Sequence, residues 1–201
     1  MSSYFFYEGG GKEDYDSFSD NDKIKYRETF KEILLKKFTN DLDKIFDNWV
    51  SIPKLGVLKI TEPRFTPIFF EAEACYAFGS FLSTIALCAI ASERLCMDLI
   101  LKSKIELDGK TLTEKEIDDL NQSEMIKLLE SWNIINEETE KSLWKINTTR
   151  IKYIHPKNVP KVNPEEFDFI DVKDMKAMKE DAKKTLIQFK TVLMEVFGIK
   201  R

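Results

Sequence analysis

"ACYAFGSFLSTIALCAIAS", residues 74–92, contains no charged side chain, and how it is read decides the fold. Its length is close to the roughly 20 apolar residues that a membrane-spanning helix needs. Yet it is built from Ala, Ser, Cys and Gly more than from Leu and Val. Its flanks carry Glu71, Glu73 and Glu93 instead of the basic anchors found at membrane interfaces. A helix buried on all sides of a helical bundle has this same composition. The stretch is therefore read as the middle of one long buried helix from Glu71 to about Lys104, with no membrane association expected.

Outward from this centre the pattern stays helical. Between Asp22 and about Val50, Ile24, Phe30, Ile33, Leu34, Phe38, Leu42, Ile45, Phe46 and Trp49 recur at three- and four-residue steps, and Asp20 or Asn21 can cap the start. Pro53, Pro63 and Pro67 make 51–70 a connector, with a short extended piece at Val57–Ile60. On the other side, "LDGKTLTEKE" (107–116) reads as a turn with Asp108 and Gly109 at its tip. A short helix is expected over 123–132, carrying Met125, Leu128 and Leu129, and another over 137–154. Prolines 156, 160 and 164 then forbid helix. The last helix begins near Asp171, with Met175, Met178, Ala182, Leu186, Phe189, Leu193 and Phe197 on its core face. Repeats and a series of strands are both lacking. The expected fold is all-α: a helical bundle of about five helices with two long antiparallel core helices. It forms a single domain over 21–201. Residues 1–20 read as a mobile acidic arm, with Glu8, Glu13, Asp14, Asp16 and Asp20 against Lys12 alone.

Composition narrows the function. With 43% hydrophobic and 12% aromatic residues, 201 residues can bury a sizeable core. A net charge of −4 excludes a protein that coats nucleic acid over its whole surface, but allows a local basic region. Cys75, Cys88 and Cys96 form no CxxC pair, and one histidine cannot complete a zinc finger, so the cysteines read as buried thiols in a reducing cytosol. The N-terminus lacks the basic and apolar regions of a signal peptide, and a cytoplasmic location is expected. "GGGK" (9–12) lacks the phosphate-loop spacing, and GxGxxG and GxSxG do not occur. No cofactor and no metal site are expected.

The chemistry concentrates in "NTTRIKYIHP", residues 147–156, which holds His155, the only histidine of the chain. At 100° per residue, Leu143, Ile146, Tyr153 and Ile154 share a face of the helix, and Arg150 falls in its middle. A guanidinium keeps its proton, so in an apolar setting it needs a carboxylate or an anionic ligand. Glu93, on a helix side shared with Phe78, Leu82, Cys96 and Ile100, is the candidate carboxylate. A core ion pair and an anion site are both consistent with this spacing. His155 stands where Pro156 ends the helix. It either meets the last carbonyls or serves as a general acid or base. Between Glu140 and Glu165 there is no acidic residue, but there are Lys141, Lys145, Arg150, Lys152, Lys157 and Lys161. Such a region attracts phosphate groups.

The R-x4-H of "RIKYIH" resembles the R-x4–6-H signature of the HEPN superfamily (higher eukaryotes and prokaryotes nucleotide-binding). "AIASERLCMDLI" is similar to the glutamate-bearing core helix of that family, and "MIKLLESWNIINEETEKSLWKINTTRIKYIHP" to its short helix, turn and motif helix. The likeness covers about residues 71–195. It implies a metal-independent RNA endonuclease of toxin or antiviral type, acting as a homodimer in which two motifs meet, and in some systems bound by an antitoxin or other protein partner. Arg150 and His155 would then be catalytic. Glu93 would orient Arg150, Tyr153 and Lys152 would support, and Lys145, Lys157 and Lys161 would hold phosphates. One position departs: the family usually has a polar residue directly after the arginine, where this chain has Ile151. That departure keeps open a non-catalytic module binding nucleotide, RNA or a protein.

Overall fold

The computed structural model describes residues 16–53, 64–107, 109–154 and 172–198. Within them lie seven helices: α1 (Asp20–Val50), α2 (Thr66–Ala77), α3 (Phe81–Ser103), α4 (Glu114–Asp118), α5 (Gln122–Ser131), α6 (Glu137–Ile154) and α7 (Val172–Phe197). The all-α class expected above is the one observed, with seven helices in place of about five. The sole strands described are β1 (Glu106–Leu107) and β2 (Lys110–Thr111), a two-residue antiparallel ladder on either side of the expected turn. Gly109, at the tip of that turn, has φ +75°. Most of the expected acidic arm and the extended piece at Val57–Ile60 fall outside the described residues. No described helix is long and apolar enough to cross a membrane.

The chain divides into two compact units, Met1–Lys44 and Ile45–Arg201. In the first, Ser19 caps α1 in place of Asp20 or Asn21. Its hydroxyl accepts the Asp22 N–H at 3.2 Å and donates to Asp22 Oδ2 at 2.6 Å. No described residue of 16–44 is buried, so the stripe that includes Ile24, Phe30, Leu34 and Leu42 is not part of a core.

The second unit is organised around α3, which packs against α2, α4, α5, α6 and α7. Phe81, Ile85, Cys88, Ala89, Ala91, Ser92, Leu95, Cys96 and Ile100 are all buried, and the small Cys, Ala and Ser side chains let neighbouring helices approach closely. Burial is not complete around the helix, because a narrow strip including Leu82, Ile90 and Arg94 stays exposed. Cys88 and Cys96 are core filling, whereas Cys75, on α2, is only half-buried rather than buried as expected. Burial pushes Cys96 up to about 12 and Cys88 higher still, so neither is a thiolate.

The single helix expected from Glu71 to Lys104 is in fact two. The apolar run is interrupted at Phe78-Gly79-Ser80. Gly79 takes φ +80°, the Ser80 N–H reaches Cys75 O at 2.8 Å, and the Gly79 N–H reaches Tyr76 O at 3.0 Å. These are the two bonds of a Schellman ending, which needs a left-handed residue and so favours glycine. The connector is also shorter than expected, since α2 starts at Thr66 with Pro67 in its first turn, where a missing N–H costs nothing. Two capping boxes, Thr113 with Glu116 and Asn121 with Glu124, start α4 and α5.

One buried charge fastens the unit. Lys190 of α7, 4% exposed, places its ammonium 2.5 Å from Glu73 Oε1 of α2 and also donates to Pro53 O. It lies 5.9 Å from the Phe69 ring centroid. Burying an ammonium is tolerable only with its partners in place. Lys190→Met alone should therefore cost about 3–5 kcal/mol, because Glu73 loses its counter-charge, while Lys190→Met with Glu73→Leu should recover most of it. Urea unfolding of the two single variants and the double variant gives the cycle. Single variants within about 1 kcal/mol of wild type would refute this role.

Candidate functional site

The site is built on α6. Asn136 caps it, its side-chain oxygen accepting the Thr139 N–H at 2.8 Å, and Glu137, Glu138 and Glu140 fill the first turn, where carboxylates suit the positive helix end. Leu143 and Ile146 are buried as expected, but so are Thr139, Ser142 and Asn147. The face therefore turns polar before the helix ends, where Ile151 and Ile154 are exposed and Tyr153 is half-buried.

Arg150 meets the expected carboxylate, with its Nη1 lying 3.1 Å from Glu93 Oε2 on α3. Both side chains stay partly in solvent, Arg150 at 40% and Glu93 at 33% exposure. Arg150 is thus less buried than its spacing alone implied. Around the pair, α3, α5 and α6 are knitted by side-chain amides. Asn147 Nδ2 donates to Ser123 Oγ at 2.9 Å, and Gln122 Nε2 donates to Ser92 Oγ at 2.6 Å. Gln122 is 2% exposed and its Oε1 has no partner.

These residues frame an open cleft of about 480 Å³ between the start of α5 and the flank of α6. Gln122 and Ser123 line one side, Asn147 and Arg150 the other, and Ile151 and Ile154 form an apolar wall. The cleft offers a guanidinium, a hydroxyl, an amide and aliphatic surface, a set suited to an anionic group attached to something apolar.

Lys152 and Tyr153 are engaged elsewhere. Both donate to Asp181 Oδ2 of α7, Lys152 at 2.7 Å and Tyr153 at 2.8 Å, and the ammonium sits 4.7 Å from the Tyr153 ring centroid. The bonds to Asp181 and then Tyr153 hold Lys152 above its usual value. Burial, ahead of the Asp181 bond, raises Tyr153. For Asp181 burial acts upward, but the bonds from Lys152 and Tyr153 outweigh it and hold the carboxyl below its usual range. This trio pins the last turn of α6. Lys145 is exposed on the opposite side of the helix from Leu143 and Ile146. His155, Lys157 and Lys161 lie outside the described residues.

Ser123, Gln122, Asn147 and Asp181 were not singled out from sequence. Asn147 was within reach, standing four positions after Leu143 and three before Arg150 on the same face. Asp181 and Ser123 matter only through contacts between helices, which spacing along one helix does not reveal. Among the described residues, no cluster of His, Cys, Asp or Glu could hold a metal ion. Family models, curated proteins and solved structures offer no match to this chain.

Two outcomes follow. Arg150→Met and Glu93→Gln should each change stability by less than about 1 kcal/mol in thermal unfolding, because a pair this exposed contributes little. A larger loss would make the pair a structural tie. Asp181→Ala should speed amide exchange at 151–154 while leaving 141–147 unchanged. The depressed Asp181 carboxyl dictates the sign in wild type: the clamp holds at neutral pH and loosens as pH falls through the folded-state value. Uniform exchange along α6 in the variant would contradict this.

Proposed function

We propose that the chain is a HEPN-like, metal-independent RNA endonuclease of toxin or antiviral type, working in the cytoplasm as a homodimer. The observation that carries this reading is the placement of Arg150. Its guanidinium is held by Glu93 at 3.1 Å yet remains 40% exposed at the edge of a cleft. It stands five positions before the chain's only histidine. In this mechanism Arg150 neutralises the scissile phosphate, and its charge matters most as that phosphate gains charge in the transition state. His155 of one copy takes the proton of the ribose 2′-hydroxyl as its oxygen bonds the phosphorus, and a second acid gives a proton to the 5′-oxygen as the P–O5′ bond breaks. One histidine can serve as base or as acid, so a second copy of the chain supplies the other. Glu93 orients Arg150, and Lys152 and Tyr153, through Asp181, steady the helix end. Lys145, Lys157 and Lys161 supply positive charge along the RNA.

A second reading, a non-catalytic module that binds nucleotide, RNA or a protein such as an antitoxin, is favoured by Ile151. An aliphatic side chain follows the arginine there and cannot hydrogen-bond the catalytic pair.

The test is RNA cleavage in EDTA. Wild type should cut, and Arg150→Ala and His155→Ala should each lose about 10²-fold or more. Equal activity in all three proteins would remove the nuclease reading, and RNA binding without cleavage would select the second.

A further inference from the structure

We propose that the cleft between α5 and α6 seats one whole nucleotide, with its phosphate on Arg150 and its base against Ile151 and Ile154. The choice of a nucleotide over other anionic amphiphiles rests on the RNA-cleavage reading; the rest comes from the cleft itself. About 480 Å³ lies within the range of small-ligand pockets and suits a mononucleotide.

Each part of such a ligand meets a suitable surface. Only Nη1 of Arg150 is taken by Glu93, which leaves the remaining guanidinium N–H groups for a phosphate. Ile151 and Ile154 stand three positions apart on α6, 43% and 37% exposed, both lining the cleft. Residues at that spacing are neighbours on a helix surface, so the two side chains make a continuous apolar wall. Across from them, Ser123 Oγ accepts from Asn147 Nδ2 at 2.9 Å, so its own O–H remains to donate, beside the Asn147 carbonyl oxygen as an acceptor. A donor next to an acceptor matches the polar edge of a nucleobase. Asn147 thereby holds Ser123 in place, and Gln122, bonded to buried Ser92, anchors the turn that presents it. In this assignment Ile151 is the base platform. The aliphatic residue after the arginine makes the cleft selective for a ligand that carries a base.

The test follows the Ile151 and Ile154 methyl signals by NMR in the full-length protein. Uridine, cytidine, adenosine and guanosine monophosphates are titrated beside two controls, inorganic phosphate and the free nucleosides. At least one monophosphate should shift both methyls with millimolar affinity, about tenfold tighter than either control. Arg150→Ala should weaken that binding about tenfold, Ile151→Asp should weaken it at least as much, and Ser123→Ala should weaken it a few-fold. No methyl shift with any nucleotide at about 10 mM overturns the proposal. So does inorganic phosphate binding as tightly as the nucleotides, which would leave an anion site alone. Nucleotide binding without RNA cleavage would uphold the cleft while the nuclease reading fails. RNA cleavage without methyl shifts would uphold the nuclease and remove the cleft.

Discussion

Lys190 is the constraint on which the second unit depends. An ammonium 4% exposed has to find negative charge and carbonyl oxygen inside the protein, and it finds them in Glu73 and Pro53 O. Three pieces of chain are thereby held in one arrangement: the segment after α1, the middle of α2, and α7. Fixing α2 fixes the corner at Gly79, and the corner fixes the direction of α3. Since α3 carries both Glu93 and Ser92, the partners of Arg150 and Gln122 are positioned from a distance by a buried charge that takes no part in the cleft.

Two of the inter-helix ion pairs of this unit, Lys190–Glu73 and Arg150–Glu93, have opposite characters, and the difference is solvent. The Lys190–Glu73 pair is largely shielded, at 4% and 15% exposure, so either member left alone would be a poorly compensated charge. The Arg150–Glu93 pair is wet on both sides, so parting it exchanges one set of contacts for water at little cost. An arginine in that state can release part of its hold on the carboxylate and meet a phosphate without disturbing the fold. The first pair builds the scaffold, and the second remains available to a ligand.

Periodicity made much of this visible in the sequence. The apolar spacing placed α6 at 137–154 and the start of α7 within a residue, because an amphipathic helix writes its own period. The Glu93–Arg150 partnership was also legible, since a guanidinium on an apolar face has few solutions. Other features escaped for identifiable reasons. Gly79 sits in an unbroken apolar run, where the helical period continues past it and only backbone hydrogen bonds reveal the break. Lys190 lies four positions after Leu186 and three before Leu193, so the reasoning applied to Arg150 would have found it. It went unread inside a stripe whose other members were plainly core. The Asp181 clamp depends on how two helices face each other, information no single period contains.

The glycine corner also bears on how the chain finds its shape. Six residues of local hydrogen bonding turn α2 back toward α3, so the two helices meet across a separation of only a few positions. Closing so short a loop sacrifices little chain entropy, whereas bringing α7 onto α2 must close the whole stretch from 78 to 171. Local contacts of this kind tend to organise early and distant ones late. The corner thus gives α3 a neighbour before the rest of the bundle arrives, shielding part of a long uncharged stretch during the interval when it would otherwise lie open to other chains.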